Sequence, residues 1–169
     1  RGASGIDGIV ATATGAAVLS DKPVTLLIGD LAVFHDLNSF QLIRKSKTPI
    51  VTVIVNNGGG DIFSHLPVKN LPKNQFDTLF KTPQNLNFEY LAALFELPYA
   101  PVKTLQELRA FYKEALRMNK SVLIDAIALL KPEERARLTV RIVGSAYQGQ
   151  EHFEADIHAH IARLGLGDV

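Results

Sequence analysis

The sequence predicts an α/β fold, three layers deep (α/β/α), around a mainly parallel sheet. Val24-Thr-Leu-Leu-Ile28, Ile50-Val-Thr-Val-Ile-Val55 and Ser121-Val-Leu-Ile-Asp-Ala-Ile127 are short, β-branched and almost continuously apolar. Runs of that kind suit strands covered on both faces. Helical patterns separate them, so the order begins helix, strand, helix, strand, which is the alternation of a parallel α/β sheet. The first two runs end abruptly, in Gly29-Asp30 and in Asn56-Asn57-Gly58-Gly59-Gly60.

Taken in order, residues 6–19 place Ile6, Ile9, Val10, Ala13, Ala17 and Val18 at helical spacing. Gly8 and Gly15 would each cost such a helix about 1 kcal/mol relative to Ala, tolerable where a small-residue face packs close to a sheet or ligand. Ser20-Asp21-Lys22-Pro23 is the turn into the first strand. After Asp30, Leu31-Ala-Val-Phe34 is apolar, and either Asp36 or Asn38 can cap a helix running to about Lys45. Phe40, Leu42 and Ile43 would face the sheet, with Arg44, Lys45 and Lys47 near the negative end of the helix dipole. Residues 58–82 lose periodicity, apart from a helical turn at 76–80; a stretch that long is expected to be a functional flap over the site. Residues 88–95 form a short amphipathic helix, and Pro98-Tyr99-Ala100-Pro101 is a short edge strand or an extended connection. Thr104-Leu-Gln-Glu107 fits a capping box, and Leu105, Leu108, Phe111, Tyr112, Ala115 and Leu116 follow as a buried helix face. Asp125, inside the third strand, is expected at an edge or bonded to a neighbouring backbone, without a catalytic role. Beyond it, Pro132 opens a helix, residues 138–143 alternate like a half-buried strand, and residues 150–164 read as a helix.

Composition narrows the function classes. The chain has 169 residues, enough for one ordinary core, and a formal net charge of +1, so no broad basic field argues for nucleic acid. With no cysteine, disulfides, thiolate metal sites and cysteine nucleophiles are excluded. That composition is compatible with a reducing cytoplasm, the expected location. No apolar run is long enough to cross a bilayer. The chain begins with Arg1 rather than Met and is expected to be a processed or excised piece of something longer. His35, His65, His152, His158 and His160 are not spaced against acids as metal ligands would be, and none is expected to be catalytic. Gly-x-Ser-x-Gly, P-loop and Gly-x-Gly-x-x-Gly fingerprints do not occur.

Ligands of open α/β sheets bind beyond the carboxyl ends of the strands. There the chain places Asp30 after one run and the Asn56-Asn57 pair after the next. A carboxylate and a carboxamide are two hard oxygen ligands, and Mg²⁺ takes few protein oxygens, filling its remaining octahedral positions with phosphate and water. Three consecutive glycines let the backbone come close enough for a main-chain carbonyl to be a third ligand.

An Asp after Gly at one strand end, followed by Asn-Asn a little under thirty residues on, resembles the diphosphate-binding motif of thiamine-diphosphate-dependent enzymes. Arg1-Gly-Ala-Ser-Gly-Ile-Asp-Gly8, Gly29-Asp-Leu31, Asp36-Leu-Asn38, Ile62-Phe-Ser64 and Leu66-Pro67 narrow the likeness. Together they resemble the C-terminal, diphosphate-binding domain of the 2-succinyl-5-enolpyruvyl-6-hydroxy-3-cyclohexene-1-carboxylate synthase family of menaquinone biosynthesis. The likeness runs from Arg1 to about Ile127, so residues 1–128 are taken as that domain and residues 129–169 as an extension packed on it. It implies a thiamine-diphosphate-binding fold and a transferase that decarboxylates 2-oxoglutarate and adds the remaining unit to isochorismate. It further implies that Asp30, Asn57 and the Gly59 carbonyl hold Mg²⁺ (or Mn²⁺) on the cofactor diphosphate, with Gly29 and Leu31 beside the cofactor. The family often has a third Asn where this chain has Gly58, a difference that removes no expected ligand. Ile6 would be the aliphatic wedge that bends the cofactor, and Ile62, Phe63 and Leu66 the apolar wall beside the reacting carbon. Arg1 would pair with a substrate carboxylate through its planar fork. The glutamate that activates the cofactor belongs to an N-terminal pyrimidine-binding domain, usually of a second subunit in a homo-oligomer; nothing in this chain matches it. Two other readings stay open: a non-catalytic module with the same fold, and a thiamine-dependent decarboxylase or acetolactate-type synthase with another substrate.

Overall fold

The computed structural model describes residues 5–127, so Arg1 and the expected elements beyond residue 128 lie outside the described residues. Four strands, β1 (Val24–Gly29), β2 (Ile50–Asn56), β3 (Tyr99–Val102) and β4 (Val122–Ile127), form one sheet in the order β1-β2-β4-β3. Every pairing is parallel, with Gly29 opposite Val55 and Asn56 opposite Ile127. The carboxyl ends of β1, β2 and β4 therefore lie side by side. The predicted three-layer α/β fold is the observed one, and β3 is an edge strand.

Helices α1 (Ile9–Val18), α2 (Asp30–Phe34), α3 (Phe40–Lys45) and α5 (Phe88–Leu94) cover one sheet face. Val10, Val33, Phe40, Ile43 and Phe88 meet Ile28, Ile54 and Leu123 there. The longest helix, α6 (Leu105–Met118), covers the other face, where Ala115, Leu108, Tyr112 and Leu116 pack on Val51, Val53, Val122 and Ile124. Its capping box is formed in full: Glu107 N–H donates to Thr104 Oγ1, and the Glu107 carboxylate accepts from Thr104 N–H. Phe111 departs from the expected buried face, at 47% exposed, as does Leu42 in α3 at 46%. A periodic pattern gives a face its direction but not its width, and both residues sit at the rim.

The first helix starts later than its apolar spacing suggests. Gly8 is its cap, at φ 68, a left-handed conformation that glycine adopts freely and that ends the helix at that point. Ile6 thus lies in the bend before α1 and not on its face. Gly8 has no side chain to cap with, and Asp36 supplies the missing acceptor from across the fold. Its Oδ2 accepts from Val10 N–H at 2.6 Å and Ala11 N–H at 3.1 Å, while Ser39 Oγ donates to its other oxygen. Asp36, one of the two residues expected to cap the helix that follows, caps α1 instead.

Between β2 and α5 the chain is not structureless. Two 3-10 turns (Asp61–His65 and Pro67–Asn70) lead into α4 (Lys73–Phe76) and a π turn (Asp77–Lys81). The two ends of this segment close on each other, because Gly60 N–H donates to the Lys81 carbonyl at 2.6 Å. Inside it, Phe80 stacks on Phe76 and meets Phe63 edge-on. Among the described residues no helix is long and apolar enough to cross a membrane.

Candidate functional site

Asp30 opens α2 directly after β1, and its side chain is buried, 6% exposed. Its Oδ1 accepts from Leu31 N–H at 2.9 Å, and its Oδ2 from Gly59 N–H at 2.8 Å. The second bond crosses from one strand end to the next and fastens the glycine loop to the acid. Burial pushes the Asp30 carboxyl above the usual carboxylate range, while donation from Gly59, Leu31 and Gly58 pulls it back. Gly29, extended at φ −77, ends β1 and caps α2; Leu31 is half-buried beside it.

The loop after β2 turns sharply at Gly58 (φ 78) and Gly59 (φ 128). A Cβ on Gly59 would stand 2.3 Å from the Lys81 carbonyl oxygen, so only glycine fits where the loop passes the neck of the following segment. Among the described residues, two buried side-chain oxygens have no hydrogen-bond partner: Thr52 Oγ1 and Asn57 Oδ1. Thr52 lies inside β2, among apolar neighbours. Asn57 lies one residue past the strand, in the loop that Asp30 holds, and a buried carbonyl left without a donor is costly unless something else ligates it. The Gly59 carbonyl accepts from Asp61 N–H at 2.9 Å, which leaves one of its two lone pairs. No group of three or more His, Cys, Asp or Glu among the described residues could hold a metal. The donor set at this strand edge is of another kind: one carboxylate, one amide oxygen and a main-chain carbonyl, a set that suits Mg²⁺ completed by phosphate and water.

The other expected site residues are arranged less tightly. Phe63 is half-buried against Phe80 and the Gly60 backbone. Ile62 is half-buried in the same turn, Leu66 is 46% exposed, and Ile6 is 42% exposed. The structure thus gathers Asp30, Gly59 and Phe63 around the Asn57–Gly60 loop and leaves Ile6 and Leu66 open to solvent.

The sequence reading missed one polar cluster beside this edge. Asp125 is not at an edge: β4 runs between β2 and β3, and the residue is 2% exposed. Its carboxylate bonds side chains rather than backbone, accepting from Asn56 Nδ2 at 3.1 Å and from Tyr99 Oη at 2.9 Å. An acid inside an otherwise apolar strand was the available sign, since such a group needs donors wherever it is buried.

A parallel sheet with acid and amide at adjacent strand ends defines the class. The sequence profile described as "Thiamine pyrophosphate enzyme, C-terminal TPP binding domain" matches residues 5–126, and the chain belongs to that family. It is similar to the curated 2-succinyl-5-enolpyruvyl-6-hydroxy-3-cyclohexene-1-carboxylate synthases of Salinibacter ruber and Aeromonas salmonicida. The first is 50% identical over 125 residues, 74% of this chain and 20% of that protein. The second is 42% identical over 152 residues, 88% of this chain and 26% of that protein. The chain therefore spans about a fifth to a quarter of the length of these relatives. Among solved structures, the thiamine diphosphate-dependent 4-hydroxybenzoylformate decarboxylase of Rhodococcus jostii RHA1 has the same fold, with a TM-score of 0.59 at 24% identity, covering 71% of this chain and 22% of that one.

Proposed function

We propose that this chain is the diphosphate- and Mg²⁺-binding part of a thiamine-diphosphate-dependent synthase of the menaquinone branch. That synthase decarboxylates 2-oxoglutarate and adds the remaining four-carbon unit to isochorismate. The names and identities of the curated relatives support the branch. The observation that carries the role of this chain is Asn57 Oδ1, buried and unpartnered in the loop that Asp30 holds by Gly59 N–H.

Thiamine diphosphate, when bound, supplies the carbanion-stabilising chemistry that amino-acid side chains lack. The residues of this chain bind and orient it. Asp30 and Asn57 offer oxygens to Mg²⁺ (or Mn²⁺), with the second lone pair of the Gly59 carbonyl beside them, and Gly29 and Leu31 line the diphosphate end. Ile6 would support the cofactor, and Ile62, Phe63 and Leu66 would flank its reacting carbon, where low polarity disfavours charged forms relative to neutral ones. Arg1 pairs with a substrate carboxylate. The activating glutamate comes from the pyrimidine-binding domain of a partner subunit.

Calorimetric titration of the chain with thiamine diphosphate, with and without Mg²⁺, tests the reading. Heat should appear only with the metal, and Asn57→Ala or Asp30→Ala should weaken binding by at least about tenfold. Metal-independent binding, or unchanged affinity in both variants, would sink it. A metal-dependent response also argues against the non-catalytic module, which has no use for a ligand at Asn57.

A further inference from the structure

The loop that carries Asn57 is fastened by groups from three other parts of the chain. Asp30 holds Gly59 N–H, the Lys81 carbonyl holds Gly60 N–H, and Asp125 holds the side chain of Asn56. The first two fix the far side of the loop. Asp125 fixes the near side, at the last residue of β2. We propose that Asp125 is a positioning residue for the cofactor metal: by gripping Asn56 from the neighbouring strand, it sets the direction in which the chain leaves the sheet and so aims Asn57. The inference rests on the proposed function above.

Geometry distinguishes this role from plain sheet stability. In the register of the sheet, Asp125 lies opposite Ile54 on β2 and Pro101 on β3. Its carboxylate reaches Asn56, two residues further along β2, and thus bonds towards the carboxyl edge. Its second oxygen takes the Tyr99 hydroxyl from β3. Both oxygens are therefore occupied by donors and the group is locked in one orientation, although burial raises its pKa against the pull of Tyr99 and Asn56. A buried acid in this position is expensive unless the bonds it makes are needed. The Tyr99 bond ties β3 to β4 and does not itself reach β2 or the loop. The Asn56 bond adjoins the residue with the unpartnered buried oxygen.

The two bonds of Asp125 can be cut separately. Tyr99→Phe removes one donor and leaves Asn56 in place. Asn56→Ala removes the other from a half-buried position, and Asp125→Ala removes both. Thermal unfolding and calorimetric affinity for thiamine diphosphate at saturating Mg²⁺ are measured on the full chain for all three. The expected result is a lower Tm in every variant, but a Kd raised about tenfold or more only in Asn56→Ala and Asp125→Ala, as for other groups that orient a metal ligand. Tyr99→Phe should bind within about twofold of the unaltered chain. If Asp125→Ala does not fold, Asn56→Ala against Tyr99→Phe decides alone. Equal Kd in those two variants overturns the assignment and leaves Asp125 a structural group. Failure of the proposed function looks different: the unaltered chain itself would show no metal-dependent binding, and both conclusions would fall.

Discussion

Asp30 is pulled in two directions, and the net result has a measurable sign. Burial raises its pKa above 3.8, and backbone N–H groups, Gly59 foremost, offset only part of that rise. A carboxyl raised in the folded state binds its proton more tightly there than in the unfolded chain. Between its ordinary and raised values the native state thus holds more protons, and stability falls as pH rises through that window. Under the proposed function Mg²⁺ requires the ionised form, so metal affinity should rise over the same window. Without metal, the Tm of Asp30→Asn should fall less steeply as pH rises above 3.8 than that of the unaltered chain; with Mg²⁺ and thiamine diphosphate, binding to the unaltered chain should tighten as pH increases. A binding curve flat in pH would contradict the raised Asp30. This residue was legible in the sequence because a strand end announces it. Asn57 was legible for the same reason, but its unpartnered oxygen was not, since that depends on which donors the folded loop brings within reach.

At the scale of elements, Asp36 shows where local reading ends. Its position before a helical run is a cap pattern, and the sequence contains no sign that Gly8 leaves another helix without an acceptor. The contact links α1 to the turn before α3, so its loss should loosen two elements together. Asp36→Ala should lower stability by about 1–2 kcal/mol, as cap removals do, and Asp36→Asn, which keeps one acceptor oxygen, should lose less. Denaturant unfolding measures both; equal stability in the alanine variant would mean that water replaces the carboxylate. Other elements were legible in proportion to how local their causes are. The capping box of α6 and the apolar runs of β1, β2 and β4 are written in adjacent residues, and each is found where it was expected. Residues 58–82 were not, because the Gly60 to Lys81 bond and the Phe63, Phe76 and Phe80 contacts join residues far apart in sequence.

At the scale of the molecule, the candidate site is, among the described residues, finished on one side and open on the other. Its floor is the carboxyl edge of a parallel sheet, with Asp30 and the Asn57–Gly60 loop fastened in place. Its cover is thin: Ile6, expected as the wedge that bends the cofactor, and Leu66, expected beside the reacting carbon, are 42% and 46% exposed. Decarboxylation at a carbon bathed in water forgoes the low-polarity surroundings that make the step fast, since each fixed charge or dipole acts more weakly in a high dielectric. The relatives, about three and a half times as long as this chain, have the length to provide a cover. Under the proposed function, binding and turnover should therefore separate. The chain alone, given thiamine diphosphate and Mg²⁺, should bind the cofactor weakly and consume neither 2-oxoglutarate nor isochorismate. Fused behind the part of the Salinibacter ruber relative that lies N-terminal to its matching segment, it should bind more tightly and release carbon dioxide from 2-oxoglutarate. Carbon dioxide release by the chain alone at the rate of the fusion would mean that the exposed edge already contains everything the reaction requires, and that the glutamate assigned to a partner domain has an equivalent within these residues.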